Sequence, residues 1–162
     1  MNRRSFFEYG WNVNYLSSIG SSSHMNFSEI LAENSQKIVD RWIDLVLGTY
    51  HADGARFFKS QEDRFANPVG YSVKNGLEGV FATLRNGEKV TELPAEMVQF
   101  LKLRAVQDSS PSASLSFLYT LKDIVREVCG KQLIEFQEEW YEFDKAVDQL
   151  ALLGFDNYMK NR

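Results

Sequence analysis

The stretch that decides the fold is residues 131–160, KQLIEFQEEWYEFDKAVDQLALLGFDNYMK. Its large apolar side chains recur at alternating steps of three and four residues, which places them on one face of an α-helix. These side chains are Leu133, Phe136, Trp140, Phe143, Val147 and Leu150. We predict one long helix from about Lys131 to Lys160, roughly 45 Å in length at 1.5 Å per residue. The last five of these side chains form what we call the seam, which can face the core or a second subunit and is our candidate dimer contact.

Start and stop signals upstream divide the rest of the chain into shorter helices. A capping residue followed by proline is typical of a helix start, and a glycine is typical of a helix end. On these signals, helices are predicted from Phe27 to about Tyr50, from Ala55 to about Phe65, from Pro68 to Asn86, from Pro94 to Asp108 and from Pro111 to Cys129. No segment alternates apolar and polar residues strictly enough to predict a strand. The predicted fold class is therefore all-α, a bundle of five to six helices with a long C-terminal helix.

Three glycines fall inside the helix predicted to begin at Pro68, namely Gly70, Gly76 and Gly79. Each costs about 1 kcal/mol relative to alanine in a helix interior. We expect them to mark a close helix crossing, and the alternative is a ligand that lies against the backbone.

Residues 1–24 differ in composition from the rest of the chain. They are rich in aromatic residues and Asn, and they end in the Ser/Gly run 17–23, which is typical of a flexible linker. The residues Ser-Ser-His-Met at 22–25 resemble a cloning junction, and Asn26 with Glu29 is typical of a native helix start. We therefore expect residues 1–24 to be an expression tag and linker, and residues 25–162 to form a single domain.

The composition excludes several classes of function. The net charge is −4, which disfavours a nucleic-acid partner. No apolar run approaches the ~20 residues of a membrane span, so no membrane partner is expected. The single cysteine, Cys129, excludes a disulfide scaffold and is typical of a cytoplasmic protein.

The chemically active residues predict no enzyme, no metal site and no haem. Of the two histidines, His24 belongs to the tag, and His51 follows the first helix rather than lying on an inner face, where a haem ligand is needed. The serines between 109 and 116 have no suitable base, so helix capping explains them. A solvated acidic face, rather than a metal site, is expected for the acidic residues near the chain's end, because no histidine follows them at the required spacing. These residues are Glu135, Glu138, Glu139, Glu142 and Asp144.

Arg104 is the strongest candidate for a binding residue. It follows Leu101 by three residues and Phe100 by four, so it lies near the apolar face of its helix. Asp108 lies one turn later and can pair with it. A buried arginine needs partners, because an unpaired buried charge is costly. One interpretation is a structural Arg–Asp pair that ties two helices together. The second is an anion or carboxylate ligand held by Arg104, with Arg64 or Tyr71 contributing, so that Arg64, Tyr71, Arg104 and Asp108 are the candidate ligand-binding residues. The third is a surface arginine with no role.

Several ordered blocks of the sequence resemble one known family. The blocks are EILAENSQKIVDRWID (29–44), DRFANPVG (63–70), GLEGVF (76–81), LKLRAVQDSSPSASLSFLYTLKDIVRE (101–127) and LALLGFDNYMKNR (150–162). They look like the RsbR/RsbRD N-terminal domain family, the sensor-side domains of stressosome-type proteins that regulate sigma factors. The stretch RAVQDSSPSASLSFLYTLK is the most specific part, and the resemblance covers about residues 26–162.

The resemblance implies a globin-like helical fold without haem, a signal-input or interaction role, and a homodimer built partly through long helices. RsbR-type proteins continue into a STAS domain that carries phosphorylated serine and threonine residues, whereas this chain ends at Arg162, either as an excised domain or as a stand-alone protein. The leading hypothesis is a non-enzymatic, cytoplasmic, non-haem sensor domain that forms a homodimer and contacts a regulatory protein. The alternative is a small-molecule binding protein with an acidic or apolar ligand in a pocket between helices.

Overall fold

In the computed structural model of the chain, the described residues are 25–49, 67–106 and 110–160. These residues form six α-helices and no strand, which confirms the predicted all-α fold with a long C-terminal helix. The helices are α1 (Phe27–Glu33), α2 (Ser35–Leu47), α3 (Pro68–Arg85), α4 (Ala95–Val106), α5 (Pro111–Cys129) and α6 (Gln137–Lys160). A 3₁₀ segment, Gly130–Glu135, connects α5 to α6. The helix predicted over 55–65 lies outside the described residues.

Local capping explains where the middle helices begin. The Asn67 side chain accepts a hydrogen bond from the Gly70 N–H at 2.8 Å, and Pro68 opens α3. The Ser110 hydroxyl accepts from the Ala113 N–H at 3.2 Å at the start of α5. Such side chains satisfy backbone donors that have no partner inside the helix. The starts predicted for α3 and α5 are confirmed.

The predicted helix from Phe27 to Tyr50 is wrong in its continuity, because Asn34 divides it. The Asn34 side-chain amide donates to the Ile30 carbonyl at 2.9 Å, and its backbone has φ −93° and ψ 2°. Asparagine competes for backbone hydrogen bonds in this way and so disfavours a regular helix interior. The Asn34 N–H still donates to the Ile30 carbonyl at 3.2 Å, so backbone hydrogen bonding continues from α1 into Asn34.

The start predicted for the last helix is also wrong. The α-helix begins at Gln137 rather than at Lys131, because Gly130 adopts φ 50° and the chain then forms the 3₁₀ segment. A positive φ is accessible to glycine at little cost and ends α5. The shorter α6 is about 36 Å long at 1.5 Å per residue.

The core lies between α6 and the helices packed against it. In the seam, Phe143, Val147 and Leu150 are buried within this core, and Phe136 and Trp140 are partly buried against it. Phe143, Val147 and Leu150 are therefore enclosed largely by the chain's own helices.

Close approaches between helices fix the packing around this core. A Cβ on Gly76 would lie 3.3 Å from the Glu96 carbonyl oxygen, so α3 crosses α4 closely there, as predicted. A Cβ on Gly79 would meet only the flexible Glu96 side chain, and one on Gly70 would meet its own cap, Asn67. Trp42 joins α2 to α5, because its indole N–H donates to the Phe117 carbonyl at 2.7 Å.

Candidate functional site

Arg104 lies near the end of α4, with 7% of its surface exposed. Its Nη1 donates to the Thr49 hydroxyl at 3.1 Å, and its Nη2 donates to the Ala113 carbonyl at 3.0 Å. Its guanidinium also lies over the Phe100 ring, 5.9 Å from the centroid. Arg104 thus connects the end of α2, the α4 helix and the first turn of α5. The expectation that it lies on the inner side of its helix is confirmed.

Of the other residues in the predicted binding set, the structure describes only Tyr71. Tyr71 is exposed on α3, and its carbonyl accepts a hydrogen bond from the Asn75 side chain at 2.8 Å. Arg64 and Asp108 lie outside the described residues, as does His51. Ligand binding by Arg64, Tyr71, Arg104 and Asp108 therefore stays a prediction. The contacts of Arg104 with Thr49 and Ala113 support a structural tie between helices.

A second buried cation, Lys122, lies where α5 contacts α6. Its Nζ donates to Asp148 at 2.7 Å and lies 3.1 Å from an Asp144 oxygen. Burial lowers the pKa of Lys122, but the two aspartates outweigh burial, so the pKa lies above its usual 10.5. Arg126 reaches Asp144 at 3.7 Å and lies 5.0 Å from the Trp140 ring centroid. We call Lys122, Arg126, Asp144 and Asp148 the α5–α6 charge cluster.

Sequence reasoning missed this cluster. The acidic face predicted near the chain's end is confirmed for the four glutamates, which are exposed, but it is wrong for Asp144, which is half-buried and paired. Two signals could have found it. Lys122 falls at helical spacing between the apolar residues Leu118 and Val125, and Asp144 and Asp148 are one helical turn apart.

A groove of about 1040 Å³, partly open to solvent, follows the first half of α6. One wall is α6 itself between Glu138 and Gln149, and the other is the end of α3 with the loop up to Thr91. The start of α1, residues 26–28, closes one part of it. We call this cavity the α6 groove. A smaller cavity of about 300 Å³ lies between α1 and the 3₁₀ segment, lined by Met25, Ile30, Gln132, Glu135 and Phe136.

The outer side of α6 carries an exposed apolar stripe. Successive steps of 11, three and four residues bring its members to nearly the same side of the helix. They are Tyr141, Leu152, Phe155 and Met159, each between 47% and 64% exposed. We call these four residues the α6 stripe. Leu152, Phe155 and Met159 lie within two turns of one another, whereas Tyr141 lies three turns away beyond Lys145 and Asp148. Clustered exposed apolar side chains such as the first three commonly mark an interaction surface.

The described residues offer few groups for chemistry. Burial raises the pKa of the Cys129 thiol, and the charge of Lys37 opposes this by a smaller amount. A raised pKa makes a thiol a poorer nucleophile at neutral pH. Across residues 25–49, 67–106 and 110–160, no three His, Cys, Asp or Glu side chains gather closely enough to hold a metal ion.

None of the described helices combines the length and apolar character needed to cross a bilayer. No curated protein and no solved structure gives a match to this chain. A family model does match, that of the RsbT co-antagonist protein rsbRD N-terminal domain, over residues 36–162. The match begins one residue into α2 and spans every later helix, including the Arg104 tie and the α5–α6 charge cluster. The chain therefore belongs to the RsbRD N-terminal domain family, the regulatory sensor domains of stressosome-type proteins.

Proposed function

We propose that this chain is a non-enzymatic signalling domain that works through protein contacts, forms a homodimer in the cytoplasm and binds no haem. The observation that carries the proposal is the family match over residues 36–162. The buried Cys129, whose raised thiol pKa makes it a poor nucleophile, is consistent with a cytoplasmic protein that performs no thiol chemistry.

The α6 stripe is the surface we propose for the dimer. The seam is a weaker candidate, since Phe143, Val147 and Leu150 are enclosed by the chain's own core. The stripe has the opposite character: Leu152 and Phe155 lie 64% and 47% exposed on the longest helix. Pairing two such stripes would bury apolar surface, and each Å² of apolar surface removed from water stabilises the dimer by about 25 cal/mol.

A signal in this scheme changes how α6 lies on α5. The α5–α6 charge cluster holds that contact, and its aspartates are partly exposed, with 29% and 49% of their side chains accessible. Water can therefore replace Lys122 as their partner at modest cost. A ligand or partner would shift α6 only by binding one of its two positions more tightly than the other.

The dimer is tested by sedimentation of the wild type and of a Leu152→Glu/Phe155→Glu variant. We expect the wild type to associate with rising concentration and the variant to remain a folded monomer. Leu45→Glu is the matched control, because Leu45 is exposed to a similar degree on α2. A wild type that stays monomeric up to about 1 mM, where even a weak dimer would form, or a variant that still dimerises, would refute this surface.

The absence of haem binding is tested by titrating the protein with haemin. We expect no Soret band beyond that of free haemin, because the one histidine outside the predicted tag, His51, follows the first predicted helix. A stoichiometric, shifted band that persists after gel filtration would overturn this part of the proposal.

The competing hypothesis is a small-molecule binder in which Arg104 holds an acidic ligand. The Nη contacts to Thr49 and Ala113 favour a structural role instead. Native mass spectrometry separates the two hypotheses. A mass excess that disappears on denaturation, and that Arg104→Lys abolishes in a folded protein, would favour the binder.

A further inference from the structure

The α6 groove has an apolar floor between walls of opposite charge. The floor is formed by Phe27, Leu84, Val90, Phe143 and Ala146. On the α6 wall, Glu138 and Glu139 are exposed, while Glu142 lies 3.4 Å from Lys145 of the same helix. The opposite wall carries Arg85 and Lys89.

The charges on these two walls are available to a partner. Within the part of the chain that the structure describes, Glu138, Glu139, Arg85 and Lys89 form no ion pair. The remaining acid of the loop wall, Glu88, lies 3.5 Å from the Asn86 side-chain amide. The groove therefore presents a negative edge along α6 and a positive edge along the end of α3.

The dimensions of the groove favour a helix as its occupant. Sites for small molecules commonly enclose about 300–1000 Å³, whereas this cavity of about 1040 Å³ is partly open to solvent. Its α6 wall, from Glu138 to Gln149, rises roughly 16 Å, which equals three turns of a second helix. An extended peptide would gain most by adding to a sheet edge, and the described residues contain no strand.

We propose that the α6 groove docks one amphipathic α-helix of a partner protein. The helix would place apolar residues at i, i+3 or i+4 and i+7 on the floor, a basic edge along Glu138 and Glu139, and an acidic edge along Arg85 and Lys89. This inference rests on the proposed function, because it names the kind of partner that an interaction domain of this shape recognises. Opposite charges on the two edges would also fix the direction in which the helix lies, because reversing it brings like charges together.

The test uses three fluorescent peptides of about 15 residues, a length at which helices become stable enough to dock. All carry leucines at the same helical spacing. The first has lysines on one edge and glutamates on the other, the second has lysines on both edges, and the third has glutamates on both. By fluorescence anisotropy we expect the mixed peptide to bind at least ~10-fold more tightly than either other peptide. Equal binding of the three, or no binding by the mixed peptide, would overturn the proposal.

Protein variants localise the effect. Glu138→Lys/Glu139→Lys makes both walls basic and should move the preference to the all-glutamate peptide. The matched control is Glu78→Lys/Asp156→Lys, which changes the net charge equally at exposed positions outside the groove and should leave the preference unchanged. Ala146→Trp would place a large side chain on the floor of the groove and should lower the affinity for the mixed peptide by at least ~10-fold. If the control variant changed its peptide preference in the same way as the groove variant, net charge alone would explain the result and the proposed site would be refuted.

The outcome is separable from that of the dimer test. If the protein is monomeric but still discriminates among the peptides, the proposal of a docking groove stands and the proposal of a dimer fails. If the protein dimerises but shows no peptide preference, the proposed function stands and the docking groove is refuted. A small molecule that copurifies and competes with the mixed peptide for binding would show that the groove has a different occupant.

Discussion

Arg104 and Lys122 are equally buried cations, each 7% exposed, but they join different parts of the molecule. Arg104 donates to the Thr49 hydroxyl beyond α2 and to the Ala113 carbonyl in α5. Lys122 donates to carboxylates on a single neighbouring helix, α6. The arginine ties the ends of elements to one another, whereas the lysine sets how one long helix lies on another.

The difference teaches that burial alone does not tell what a charged residue does. The planar fork of an arginine reaches two acceptors in fixed directions, so Arg104 suits a junction where three elements meet. An ammonium group is compact and can exchange between partly hydrated carboxylates, so Lys122 suits a contact that changes. If α6 transmits the signal, as we propose, the α5–α6 charge cluster is where it can move.

The largest loss of stability is expected when Arg104 is replaced. Arg104→Ala should lower the free energy of unfolding by about 3 kcal/mol, because it removes a packed side chain and leaves buried acceptors without their donor. Arg104→Lys should recover less than half of this loss, since an ammonium cannot reach both acceptors. Urea unfolding at neutral pH measures both values. A loss under about 1 kcal/mol for Arg104→Ala would contradict a structural tie.

A smaller loss is expected at Lys122. Lys122→Met keeps the apolar stem but removes the charge, which should cost about 1–2 kcal/mol because the aspartates are partly hydrated and relax. Lys145→Met is the control, since the Lys145–Glu142 pair is exposed on one helix and should be worth at most about 0.5 kcal/mol. The same unfolding measurement applies, and equal losses for both lysines would remove the distinction between them.

The stabilising effect of Lys122 should depend on pH in the alkaline range. Its pKa is raised in the folded state, so its contribution is complete below the ordinary value of 10.5 and is lost as pH rises through the folded pKa. The stability gap between wild type and Lys122→Met should therefore narrow above pH 10.5. Unfolding curves at neutral pH and near the alkaline limit of stability measure the gap. A stability gap that widens with rising pH would show that the pKa of Lys122 is lowered, rather than raised, in the folded state.

The smallest effect is expected for an ion pair that also joins helices but lies in solvent. Arg41 on α2 pairs with Glu127 on α5, and their side chains are 49% and 53% exposed. A double-mutant cycle with alanine at both positions should give a coupling of at most about 0.5 kcal/mol, because water screens the pair. A coupling as large as that of Lys122 with Asp148 would mean that burial does not distinguish the two ion pairs.

Local signals in the sequence were enough to predict most helix boundaries. The caps at Asn67 and Ser110 act within three residues, so the printed sequence contains all that they need. The break at Asn34 and the 3₁₀ segment were missed because the apolar pattern continues through both. Leu133 and Phe136 still pack against the core although the backbone there is not α-helical.

The site could be predicted only in part, for a similar reason. The inner position of Arg104 follows from helical spacing, but its partner Thr49 lies 55 residues earlier in the chain. Lys122 and Asp148 are 26 residues apart on different helices. Such pairs depend on how helices pack, and no periodicity within one helix specifies that packing.

Two tryptophans occupy contrasting places, and this gives the domain its own optical reporters. Trp42 is fully buried and bonded to the Phe117 carbonyl, so its fluorescence should be blue-shifted and shielded from acrylamide. Trp140 is half-buried beneath the Arg126 guanidinium at the α5–α6 contact, so its emission should be redder and open to quenching. With Trp11 replaced by phenylalanine, a movement of α6 would change the second signal and leave the first untouched. Unfolding would change both, so one emission spectrum can distinguish a shifted helix from a lost fold.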